Sequence, residues 1–173
     1  MKKTLFLFAA IAVISAAAGI YFNAQRLEPA AAQNPAVDSL FAQTLPDAHG
    51  KSQALSQWKG KTLVVNFWAT WCAPCVQEMP ELSALQMEIA SKNVQILGIG
   101  IDSAENIQEF SSKYKISYPL YTAGMNGSDL ARQFDNKVGG LPFTVIIGAD
   151  KHVKKTYLGR LKLEQLRADL ASL

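Results

Sequence analysis

Cys72 and Cys75 are the two cysteines of this 173-residue chain, and only Ala73 and Pro74 separate them. Residues three apart on a helix share a face, so the two sulfurs can meet as dithiol or disulfide. A bond across so small a loop adds little chain-entropy stabilisation, which marks the pair as reactive rather than structural. Thr62–Trp68 (TLVVNFW) is a β-branched and aromatic run that predicts a strand buried on both faces. A helix is predicted to follow from Cys72 or Ala73 to about Ser91. The first sulfur then sits at a helix N-terminus, where unpaired N–H groups and the macrodipole favour the thiolate. Pro74 suits the first turn, because an N–H there would have no intrahelical partner. Cys75, one turn further in, is expected to be more buried and protonated. Cys72 would attack a substrate disulfide, and Cys75 would then attack Cys72 and release the reduced substrate. The same steps reversed would oxidise a dithiol.

Other chemistries fit these residues less well. A zinc site needs four ligands, and beyond the two sulfurs only His49 and His152 remain. Both histidines fall in predicted turns and read as surface residues, so no metal and no cofactor beyond the redox-active cysteine pair is expected. The net charge is +3, but Lys2 and Lys3 belong to the N-terminal segment, and the other 15 basic side chains face 14 acidic ones. That balance, with the lysines scattered, leaves no electrostatic footprint for nucleic acid. The cluster Lys151, His152, Lys154 and Lys155 reads as a turn and a solvated strand face. An apolar fraction of 49% suits one domain whose core needs no disulfide staple.

The elements that must position the pair follow from the rest of the chain. Met1-Lys2-Lys3 precedes an uncharged run from Leu5 to Phe22, and about 18 apolar residues just cross a ~30 Å hydrocarbon core as a helix. Residues 1–22 therefore read as a transmembrane anchor, with the lysines in the cytoplasm and Tyr21-Phe22 at the outer interface. They also read as a secretory signal cleaved near Ala16-Ala17-Ala18. Either way the domain is exported. Residues 23–37, rich in Ala, Pro, Asn and Gln, are expected to form a flexible linker, and residues 38–173 one domain. In that domain a strand is expected over Ser39–Thr44, then a hairpin turn at Asp47-Ala48-His49-Gly50 into a second short strand. Ser56 is expected to cap a single turn that carries Trp58 and ends at Gly60. Further strands are predicted over Val94–Ile101, Phe143–Ile147 and Val153–Leu158. Ser103 would cap a helix to Lys113 whose core face is Ile107, Phe110 and Tyr114. Ser128 or Asp129 would open a short helix with Leu130 and Phe134, and Leu161–Leu173 would close the chain as a helix. This order predicts an α/β sandwich around a central mixed β-sheet.

The segment Asn66-Phe67-Trp68-Ala69-Thr70-Trp71-Cys72-Ala73-Pro74-Cys75 resembles the active site of thioredoxin-fold proteins, in particular the membrane-tethered bacterial TlpA/ResA/CcmG-like group. Gly60-Lys61, Glu78-Met79-Pro80, Gly98-Ile99-Gly100-Ile101-Asp102 and Gly140-Leu141-Pro142-Phe143-Thr144 extend the resemblance over about Phe41 to Leu173. It implies a thioredoxin-like fold with an N-terminal β-hairpin extension and a short inserted helix at 128–134. It implies that Pro142 is a cis-proline facing the cysteines and that Leu141 pairs with a bound substrate segment. On the residues alone, Pro142 also reads as a proline that merely starts a strand. Pro80 would kink the active-site helix. Trp71, with Ala73 and Pro74, would contact partner proteins, while Phe67 and Trp68 belong to the core. Asn66 stands where cytoplasmic thioredoxins carry a buried aspartate that moves protons for the inner cysteine. An amide cannot do that. Glu78, three residues past Cys75 on the same helical face, would supply the carboxylate instead; the alternative is a plain surface glutamate.

The resemblance further implies a protein-disulfide reductase facing the periplasm or another extracytoplasmic space of a bacterium. It would be held at the inner membrane, or soluble if the signal is cleaved. Its substrates would be proteins with cysteine pairs, as in cytochrome c or copper-site maturation. Its electrons would come from a transmembrane thiol donor, and its domain would be monomeric. A disulfide oxidase or isomerase with the same residues is the second reading. A copper-binding chaperone on this fold would show wider cysteine spacing and a histidine near the later loop. A peroxidase would carry a Thr/Pro-rich loop where Trp71 stands.

Overall fold

The computed structural model of the chain describes Asn34–Leu173. The anchor or signal read at 1–22 and the linker through residue 33 lie outside the described residues. Among the described residues no helix is long and apolar enough to cross a membrane. The elements in chain order are α1 (Pro35–Ala42), β1 (Thr44–Pro46), β2 (Ser52–Ala54), a 3-10 turn (Leu55–Trp58), β3 (Thr62–Trp68), α2 (Ala73–Ile89) and β4 (Val94–Gly100). They continue with α3 (Ala104–Tyr114), β5 (Leu120–Thr122), α4 (Asn126–Gln133), β6 (Phe143–Ile147), β7 (Val153–Leu158) and α5 (Leu163–Ala171).

Five strands form one mixed sheet in the order β5-β4-β3-β6-β7. β3, β4 and β5 run parallel, and β6 is antiparallel to both β3 and β7. Alternate residues of a strand point to opposite faces. β3 sends Leu63, Val65 and Phe67 to one side, where Val37 and Leu40 of α1, Leu55 of the 3-10 turn, and Leu130 of α4 cover them. It sends Val64 and Trp68 to the other side, under Met79 and Leu82 of α2, Ile107 and Phe110 of α3, and Leu166 of α5. Asn66 falls between Val64 and Trp68, so the strand's own alternation carries this amide into the apolar layer beneath α2. The result is a thioredoxin-like fold, a mixed sheet with helices on both faces.

Several local expectations need correction. Ser39–Thr44 is not a strand: Pro35–Ala42 is helical and precedes the β1–β2 hairpin, so the hairpin is not the first element of the fold. Asn34 caps this helix by accepting from Ala36 N at 3.1 Å and Val37 N at 3.4 Å, with Pro35 at the first position. The helix forms because Val37, Leu40 and Phe41 lie on one helical face and all are buried. Its start at Pro35 also takes the last residues of the stretch read as linker, 23–37, into regular structure. The turn at Leu55–Trp58 has Ala54, not Ser56, at its cap, without a side-chain bond. The inserted helix begins at Asn126, ahead of Ser128. Finally, β5 was not anticipated, because three residues are too few to show a period; it exists through pairing of Leu120, Tyr121 and Thr122 with Gly98, Ile99 and Gly100.

Candidate active site

β3 ends at Trp68, the chain turns, and α2 starts at Ala73 with Cys72 as its N-cap. Cys72 and Cys75 are disulfide-bonded, with Cα atoms 5.3 Å apart. The Cys75 N–H donates to Cys72 Sγ at 3.3 Å, the contact by which a helix N-terminus stabilises a thiolate. Cys72 keeps 6% of its surface exposed and Cys75 none, so a partner reaches the outer sulfur first. Trp71 beside it is 69% exposed. The turn is clamped by Asp102, whose carboxylate accepts from Thr70 N at 3.1 Å and Thr70 Oγ1 at 2.5 Å. Ser103 N at 2.8 Å and Asn106 Nδ2 at 2.7 Å complete its shell. Partial burial raises the Asp102 carboxyl, but the bonds from Thr70, Asn106 and Ser103 outweigh it and hold the group below the usual range.

Glu78 lies one turn beyond Cys75 and is fully buried, which excludes the surface-glutamate alternative. Its Oε1 accepts from Asn66 Nδ2 at 2.8 Å and its Oε2 from Leu161 N at 2.9 Å. Asn66 Nδ2 also donates to Thr144 Oγ1 at 3.0 Å, across the register pair that joins β3 to β6. Burial pushes the Glu78 carboxyl up to about 7, against the Leu161 N–H and the Asn66 amide, which pull it down. A carboxyl poised there takes up and gives back a proton at neutral pH.

The Leu141–Pro142 bond is cis. Phe143 pairs with Phe67, so Pro142 is level with the end of β3, where the cysteine turn begins. Leu141 packs on the cluster that holds Cys72 and Cys75. Among the described residues its N–H and C=O have no backbone partner. The loop before it is fixed by Asn136 Nδ2, which donates to Gly140 O at 2.9 Å. Gly139 has a φ of +66°, which favours glycine there.

The fold therefore brings Trp71, Cys72, Cys75, Glu78 and Leu141 around one end of β3. Ala73 and Pro74 form the exposed first turn of α2 between the sulfurs. Three participants were missed: Thr144, the Leu161 N–H, and the Asp102 clamp on Thr70. Thr144 had a signal, since it sits two residues after Pro142 in a segment already singled out. The Leu161 N–H had none, because a backbone donor leaves no trace in residue type.

The sequence model of the Redoxin family matches residues 29–171. The thiol-disulfide oxidoreductase ResA of Geobacillus thermodenitrificans is 30% identical over 132 residues, covering 75% of this chain and 72% of that protein. The thioredoxin-like protein YneN of Bacillus subtilis is 29% identical over 133 residues, covering 73% of this chain and 74% of that protein. A solved thiol:disulfide interchange protein of the thioredoxin family from Chlorobium tepidum matches with a TM-score of 0.62 at 26% identity, over 76% of this chain and 95% of its own.

Proposed function

This chain belongs to the Redoxin family, and from that premise we propose that its thiol–disulfide oxidoreductase chemistry runs toward reduction of protein disulfides outside the cytoplasm. The observation that carries the reading is the asymmetry of the pair: Cys72 caps a helix under the Cys75 N–H, and Cys75 is sealed inside, one turn from Glu78. In the reduced enzyme the Cys72 thiolate attacks a substrate disulfide. A bond forms between Cys72 Sγ and one substrate sulfur, and the other leaves as thiolate. Cys75 then gives its proton to Glu78 and attacks Cys72 Sγ. The second substrate sulfur leaves, two electrons have passed to the substrate, and the enzyme holds the disulfide. Leu141 pairs with the substrate segment, and Trp71, Ala73 and Pro74 form its contact surface.

Charge supports the direction. A strong oxidant owes its potential to a stabilised reduced form. Here one N–H serves the Cys72 sulfur, while a buried carboxylate one turn beyond Cys75 opposes further negative charge on the pair. The apolar run at 5–22 behind Lys2 and Lys3 supports export, with the anchor holding the domain as a monomer at the outer face of a bacterial inner membrane. A transmembrane thiol carrier supplies electrons, and proteins with cysteine pairs, such as those maturing cytochrome c or copper sites, receive them. The experiment is trapping on Cys75→Ala, which cannot resolve the mixed disulfide. Substrate proteins are expected to stay bound through Cys72 and to be released by dithiothreitol. Equal capture by Cys72→Ala would contradict the assignment of the nucleophile.

A further inference from the structure

Beside the cysteine turn a cleft of about 410 Å³ opens between Trp71, Ile101, Asp102, Ser103, Gly124 and Met125. Met125 is 79% exposed, and it stands at the N-cap position of α4 with no side-chain bond to the helix. Its backbone is already in the right-handed helical region, and the position presents an adaptable thioether to solvent, which suits a binding surface. Gly124 beside it has a φ of +53°, and a Cβ there would touch nothing within 4 Å, so the space next to this lining residue is open. The one charged lining residue, Asp102, is already saturated by Thr70, Ser103 and Asn106.

We infer that this cleft is a specificity subsite for a bulky apolar side chain flanking the reactive cysteine of an extended substrate segment. The inference rests on the proposed function and deepens it. Trp71 adjoins Cys72 in the chain, so the cleft is continuous with the surface that a mixed disulfide must occupy. Once the substrate sulfur is bonded to Cys72, its backbone is fixed there. An extended segment advances about 3.3 Å per residue, which brings a side chain one or two positions from the substrate cysteine over the gap between the indole and the thioether. Burying an aromatic or branched side chain between Trp71 and Met125 removes apolar surface on both sides from water. The Asp102 carboxylate, held ionised, repels an acidic residue at the same position.

The test uses the full-length chain, reduced beforehand, and disulfide-bonded peptides identical except for Phe, Ala or Asp next to the reactive cysteine. The second-order rate of peptide reduction is expected to be about tenfold higher for Phe than for Ala, and lowest for Asp. In Met125→Ala the Phe-to-Ala ratio is expected to fall to about threefold or less, and Met125→Leu to restore it. Circular dichroism checks that each variant is folded. Equal rates for Phe and Ala in the wild type, or a ratio unchanged in Met125→Ala, would overturn the subsite while leaving the oxidoreductase reading intact. No reduction of any peptide would overturn that reading, and the subsite with it.

Discussion

At Glu78 two opposing effects meet in one carboxyl group. Burial disfavours its charge, and the donors from Asn66 and Leu161 favour it; burial wins and leaves the group near 7. Glu78→Gln removes the exchangeable proton, so thiol exchange is expected to slow by about a hundredfold at pH 7. The inflection near pH 7 should vanish from the pH–rate profile, which stopped-flow measurement at several pH values would read. The same group links folding to pH. Its folded value, about 7, is above the 4.5 of an exposed glutamate, so the native state binds the proton more tightly. That stabilisation is complete below about pH 4.5 and is lost as pH rises through about 7, a change on the order of 3 kcal/mol. Urea unfolding at pH 5 and pH 8 should show the wild type losing this much relative to Glu78→Gln.

Among the elements, α2 and β3 were readable in the sequence because their signals are local. A β-branched run, a turn, then Cys-Ala-Pro-Cys at a helix start specify strand, loop and helix without reference to distant residues. α1 was misread for an equally physical reason. Over Ser39–Thr44 a short apolar block between polar residues reads as a strand when taken alone, but it continues a helical face that begins three residues earlier, at Ala36 and Val37. The Asn34-Pro35 cap decides the matter, and tertiary burial fixes it. Leu40 has no exposed surface and packs in the layer with Leu55, Phe67 and Phe134. Leu40→Ala is therefore expected to cost about 3 kcal/mol, read as a lower denaturant midpoint with unchanged slope. A loss below about 1 kcal/mol would mean that α1 is not part of the core.

At the scale of the whole molecule, the sheet gathers the site from segments that no local pattern connects. Asn66 meets Thr144 from 78 residues away, and Glu78 meets the Leu161 N–H from 83. The sequence exposed the cysteines, the glutamate and the proline one by one. The buried polar cluster under α2 exists only once β6 lies antiparallel to β3 and the turn before α5 folds over α2. That cluster puts an acid of near-neutral pKa one turn from the inner cysteine and gives the reduced pair little added stabilisation. The reductant assignment stands on this balance. The reduction potential of the Cys72–Cys75 couple, measured at pH 7 by equilibration against thiol–disulfide buffers, tests it most directly. A value near thioredoxin's, about −270 mV, is expected; a value near about −120 mV, that of a strong oxidant, would contradict it.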